Sequence, residues 1–129
     1  MALVLSPGFQ RLVQDARTRV HQFTVEEFVS RLEAGERYIL LDVREDAEWA
    51  NGHIPSAHHI ARGILEREIE RAIPEKNAAI VLYCGGDDRS ALAADNLQKM
   101  GYANVASLDG GLPGWTALGL PTVKPEAGF

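Results

Sequence analysis

Two short apolar runs constrain this chain more than anything else in it: Tyr-Ile-Leu-Leu-Asp-Val over 38–43 and Ala-Ile-Val-Leu-Tyr over 79–83. Both are continuous and rich in Ile, Val and Leu, as expected of strands covered on both faces; a strand with one wet face would alternate polar and apolar residues. Asn-Val-Ala-Ser-Leu (104–108) is a weaker third. Helical patterns lie between and after them: Glu45 to Ala50, Ile64 to Ile73 closed by Pro74, and Arg89 to Met100 closed by Gly101. Alternation of this kind predicts a parallel sheet with right-handed crossovers and helices on both faces, a three-layer α/β domain.

Upstream, Ser6 stands where it can cap a helix with Pro7 in its first turn, and Phe9, Leu12, Val13, Ala16 and Val20 follow at helical spacing. This amphipathic helix is expected to pack on the domain or on a second copy of the chain. Phe-Thr-Val-Glu-Glu-Phe (23–28) is a sharper start signal: Thr24 with Glu27 forms a capping box, Phe23 and Phe28 stand at the positions of a hydrophobic staple, and the helix is expected to stop near Gly35. With 129 residues, 46% of them hydrophobic, the chain suffices for one core and not for two. A net charge of -5 with no basic stripe argues against nucleic acid or an anionic membrane as partner. The opening Met-Ala-Leu-Val-Leu is too short to span a membrane and lacks the basic start of a signal sequence, so a cytoplasmic location is expected.

The lone cysteine, Cys84, excludes an internal disulfide and any multi-cysteine zinc site. It stands one residue past the apolar run ending at Tyr83, where ligands of open α/β sheets bind, and Gly85, Gly86, Asp87, Asp88, Arg89 and Ser90 follow it. A thiol is a good nucleophile only as thiolate, and loop amides turned inward at a helix N-terminus can stabilise that charge. Gly85 and Gly86 are read as permitting such a turn, and Arg89 as adding a fixed positive charge or a forked donor to an incoming anion. The competing reading is a buried structural cysteine beside an ordinary strand-to-helix turn.

Leu-Tyr-Cys-Gly-Gly-Asp-Asp-Arg-Ser (82–90) resembles the active-site loop of the rhodanese family of sulfurtransferases. Two further segments carry the same resemblance. Residues 40–60 contain Asp-Val-Arg, an acid-aromatic pair and Gly-His-Ile-Pro; Leu-Asp-Gly-Gly-Leu-Pro-Gly-Trp (108–115) is similar to the family's closing Gly-Gly and Trp. Together they cover residues 21–121, leaving 1–20 as a helical extension and 122–129 as a tail. The resemblance implies a five-stranded, mainly parallel sheet flanked by helices. It also implies sulfur transfer, in which Cys84 takes the outer sulfur of thiosulfate, a persulfide or a similar donor and passes it to an external thiol or cyanide. Arg89 would orient the donor, Gly85, Gly86, Asp87, Asp88 and Ser90 would shape the cradle, and no metal or organic cofactor is implied. The alternative from another class is a noncatalytic rhodanese-like module that binds a partner or senses oxidation through Cys84.

Loop length argues against phosphatase chemistry. Cysteine phosphatases place five residues between Cys and Arg, whereas four separate Cys84 from Arg89, and Ser90 takes the phosphatase arginine's place. Asp42 and Arg44 read as structural support for nearby loops. His53, His58 and His59 lack the neighbouring acid or cysteine of a metal site. Trp49 and Trp115 read as core aromatics, and Glu66 to Arg71 as a solvated helix face. Asp87 and Asp88 depart from the small, apolar or basic residues usual in the family's loop. An acid about 6 Å from the sulfur would oppose the thiolate by roughly 0.7 to 3 kcal/mol, and a helix terminus returns only about 0.3 to 1. Thiosulfate, a dianion, is therefore a doubtful donor, unless one aspartate turns away to cap the following helix.

Overall fold

The computed structural model describes residues 6–86 and 88–125. In chain order the elements are α1 (Pro7–Arg17), β1 (His21–Phe23), α2 (Val25–Glu33), β2 (Ile39–Asp42), α3 (Asp46–Ala50), β3 (His58–His59), a 3-10 turn (Arg62–Ile64), α4 (Leu65–Ala72), β4 (Ile80–Tyr83), α5 (Asp88–Lys99), β5 (Val105–Leu108) and α6 (Gly111–Ala117). The five strands form one sheet in the order β1-β5-β4-β2-β3, and every neighbouring pair is parallel.

The two central runs are apolar but for Asp42, because the sheet is covered on both sides, and the buried Asp42 is paired with Arg44. Ile80, Leu82 and Cys84 enter one buried cluster with Leu65, Ile69, Ala93 and Leu97; Val81 and Tyr83 enter the other with Phe23, Phe28, Leu108 and Trp115. Each such aliphatic side chain stabilises the fold by about 1.5–3 kcal/mol on removal from water. Cys84 continues the alternation of β4, which puts its side chain on the face that α5 covers.

The capping box of α2 forms as expected, with Glu27 N donating to Thr24 Oγ1 at 3.1 Å and Thr24 N to Glu27 Oε1 at 3.1 Å. Phe23 and Phe28 share the cluster on that side of the sheet. Ser6 takes the N-cap position of α1, but its side chain makes no capping bond. Val13, Ala16 and Val20 are buried, whereas Leu12 is 61% exposed.

Helix α1 lies against α5. Arg19, just past its end, grips Asp95 with Nε and Nη2 at 3.0 and 2.8 Å, and its carbonyl accepts from Gln98 Nε2 at 3.0 Å. Two strands escaped the reading of the sequence. β1 and β3 are three and two residues long, too short to show a period, and both lie at sheet edges. Trp115 is a core aromatic as expected, but Trp49 is only half-buried, its ring stacked between His53 (3.6 Å between centroids) and His59 (4.8 Å). No helix among the described residues is long and apolar enough to cross a membrane.

Candidate active site

Cys84 is the first residue past β4, and α5 begins four residues later at Asp88. The thiol is buried, at 1% exposure, and donates to Ser90 Oγ at 3.6 Å. Ser90 lies in the first turn of α5, and its hydroxyl is 2.7 Å from Ser107 Oγ on β5. Both serines are fully buried. A polar residue inside the apolar run 104–108 was the available sign of Ser107; a serine in a covered strand needs a partner, and here that partner leads to the sulfur.

The floor of the loop is supplied from α6. Leu112 N donates to Cys84 O at 3.0 Å, and Gly111 takes a left-handed backbone with φ +52°. A Cβ on Gly111 would overlap Cys84 O and Gly86 O and come within 3.0 Å of Gly86 N. Unusual backbone was expected at Gly85 and Gly86, yet neither has a positive φ. The left-handed glycines are instead Gly110 and Gly111, and at Gly111 the chain packs backbone to backbone. Gly85 matters instead for crowding, since its Cβ would lie 3.1 Å from Arg89 Nη2 and 3.6 Å from Glu48 Oε2; nothing lies within 4 Å of a Cβ at Gly86.

Arg89 does not stand free at the loop. Its Nη1 and Nη2 donate to Glu48 Oε1 and Oε2 at 2.6 and 3.0 Å, a fork-to-fork pair between α5 and α3. These bonds pull the Glu48 carboxyl down to about 2 against the opposing effect of burial, with a smaller contribution from the Glu45 amide, which donates to Glu48 Oε1 at 3.1 Å. Arg89 is raised in turn, first by Glu48, and Cys84 is near enough to add to that electrostatically.

Helix α3 is held by the ion pair of Asp42 and Arg44. Arg44 Nε and Nη2 reach Asp42 at 3.0 and 2.7 Å, and Nη2 also donates to Gly52 O at 2.7 Å. Both residues are buried and both are structural, as the sequence reading expected. Tyr83 accepts from Ile54 N at 3.0 Å, and burial, reinforced by Asp42, pushes its phenol well above the ordinary range.

The structure thus brings Cys84, Gly85, Arg89 and Ser90 into one cluster. Asp88, the first residue of α5, pairs with Arg17 of α1 at 3.3 Å, so α1 reaches the rim of the loop. Asp87 lies outside the described residues. Glu48, Ser107, Gly111 and Arg17 were not assigned to the site from sequence.

The family model of the rhodanese-like domain matches residues 24–118. A sulfurtransferase of Allochromatium vinosum is 36% identical over 107 residues, which is 83% of this chain and 98% of that one. A solved Rhodopseudomonas palustris protein of unknown function, described as "Possible Tyrosine Phosphatase", superposes with a TM-score of 0.82 at 28% identity, covering 95% of this chain and 99% of that one. Thiosulfate sulfurtransferase of Pseudomonas aeruginosa superposes at 0.78 with 25% identity, covering 92% of this chain and 23% of the longer one.

Proposed function

The chain belongs to the rhodanese-like domain family, and on that premise we propose that it is a sulfurtransferase working through a persulfide on Cys84. The observation that carries this reading is the placement of the lone cysteine. Cys84 lies at the carboxyl end of a central strand, with its sulfur on a buried hydroxyl and a cation within electrostatic reach. A structural cysteine needs neither.

The chemistry is a pair of displacements at sulfur. The Cys84 thiolate attacks the outer sulfur of a donor; the new S–S bond forms as the old one breaks, and the leaving group departs with the electron pair. From a hydropersulfide R–S–SH the leaving group is a thiolate, from thiosulfate it is sulfite, and Cys84 holds one added sulfur. An external thiol or cyanide then takes that sulfur and returns the Cys84 thiolate. The acceptor comes from outside because the chain carries one cysteine. In the thiol, Cys84 donates to Ser90; in the thiolate, Ser90 must turn its proton toward the sulfur, and Ser107 can then donate to Ser90. Phosphoryl transfer is disfavoured by the loop, which has four residues between Cys84 and Arg89 and whose arginine is already joined to a carboxylate.

Intact mass after incubation with sulfur donors tests the reading. One added sulfur atom, removed by a thiol and absent from Cys84→Ser, is the expected result. Equal sulfur transfer by Cys84→Ser would falsify it.

A further inference from the structure

Resting on that reading, we propose that Glu48 is a specificity residue: by neutralising Arg89 it selects hydropersulfide donors over dianionic oxyanion donors such as thiosulfate. The arginine of the loop is the group that would be expected to draw an anion toward Cys84. Here both arms of its fork end on one carboxylate, at 2.6 and 3.0 Å. The carboxylate itself stands at the loop, since Glu48 Oε2 lies 3.6 Å from the place of a Gly85 Cβ, one residue from the nucleophile.

An oxyanion approaching Arg89 therefore meets a negative charge already seated on the same guanidinium. It must displace Glu48 or stand beside it, and like charges at this range oppose each other. Glu45 adds negative potential at Arg89, Arg44, whose charge acts on Glu48, is itself paired with Asp42, and Asp88 pairs with Arg17. Glu48 is anionic throughout the neutral range, its carboxyl being held near 2.

A hydropersulfide with an uncharged carbon chain escapes this conflict. Its charge is at most single and resides on the sulfur that is transferred. In the neutral form, Cys84–S⁻ and R–S–SH give Cys84–S–SH and R–S⁻, with one S–S bond made and one broken. With thiosulfate, Cys84–S⁻ and S–SO3²⁻ give Cys84–S–S⁻ and SO3²⁻, so two negative charges must enter and leave past Glu48.

The test compares the parent protein with Glu48→Gln and, should that variant fold poorly, with Glu48→Ala, which likewise removes the carboxylate. The second-order rate of sulfur loading on Cys84 is followed by intact mass, with thiosulfate and with a hydropersulfide of uncharged chain, at low ionic strength. The expected result is a thiosulfate-to-hydropersulfide rate ratio about tenfold higher in Glu48→Gln, with the gain shrinking as salt screens the site. A second readout needs no sulfur transfer: the ratio of Cys84 alkylation by anionic iodoacetate to that by neutral iodoacetamide should rise in the same variant. Unchanged ratios in both readouts overturn the proposal. A parent that gains sulfur from neither donor overturns the sulfurtransferase reading instead, while the alkylation ratio still decides whether Glu48 masks Arg89.

Discussion

Ser107 on β5 holds the hydroxyl of Ser90 at 2.7 Å, and Ser90 in turn accepts from the sulfur of Cys84 at 3.6 Å. Replacing Ser107 by alanine leaves Ser90 with one partner fewer in a site closed to water. Cys84 alkylation by iodoacetamide at pH 7 should slow several-fold, and stability should fall by about 1 kcal/mol, the worth of a typical internal hydrogen bond. Rate and urea midpoint measured on the same preparation separate the two effects. An unchanged rate would show that Ser90 orients itself without help.

Gly111→Ala should be the most damaging single change near the loop. The new methyl overlaps Cys84 O and Gly86 O, and the left-handed backbone adds strain. Overpacking and strain of this kind cost about 1–3 kcal/mol each. Gly86→Ala is the control, since nothing lies within 4 Å of its Cβ and its φ is not positive. Urea denaturation should rank Gly111→Ala well below Gly86→Ala, and sulfur loading of Cys84 should be lost only in the former.

The ion pair of Glu48 with Arg89 gives an acid-side signature. The carboxyl is lowered in the folded protein from its usual value near 4.5 to about 2. The stabilisation is therefore fully present above the unfolded value and is lost as pH falls from about 4.5 toward 2. The stability difference between the parent and Glu48→Gln should be flat from neutral pH down to the unfolded value and should shrink below it. Thermal melts across that range check this, and a difference that grows in acid would contradict the pairing.

Removing residues 1–20 should destabilise the domain. Val13, Ala16 and Val20 leave the interface with the sheet and α5, and the two valines alone contribute about 1.5–3 kcal/mol each. Asp95, lowered chiefly by its bonds to Arg19, would keep only Lys99 at 3.4 Å. Arg19→Ala should show the milder part of the same loss. A truncated chain with an unchanged urea midpoint and no new binding of an apolar dye would show α1 to be dispensable.

The core of the fold was legible because burial on both faces leaves a mark on local sequence. Runs 38–43 and 79–83 are apolar at every position but Asp42, as strands under two helical layers are, and Thr24 with Glu27 announces α2 through a bond of three-residue span. The nucleophile was legible for a similar reason, since Cys84 and Arg89 are near in sequence. What surrounds them was not. Glu48 is 41 positions from Arg89, and Ser107 is 17 from Ser90, so neither pairing has a local spacing. Gly85 and Gly86 were read as the residues that let the loop turn, whereas the left-handed backbone lies at Gly110 and Gly111, which the sequence reading gave only as part of the closing Gly-Gly motif.

The pairing of β1 with β5 also orders events during synthesis. His21–Phe23 are made early, but their partners Ala106–Leu108 are among the last parts of the domain to leave the ribosome. Until then β4 lacks one neighbour, Ser90 lacks Ser107, and the floor at Gly111 is not yet in place. Long-range parallel pairing of this kind delays closure and leaves strand edges open in the nascent chain. Cys84 itself is made only after the first 83 residues, and its surroundings are assembled when the final strand slides in between the first and the fourth.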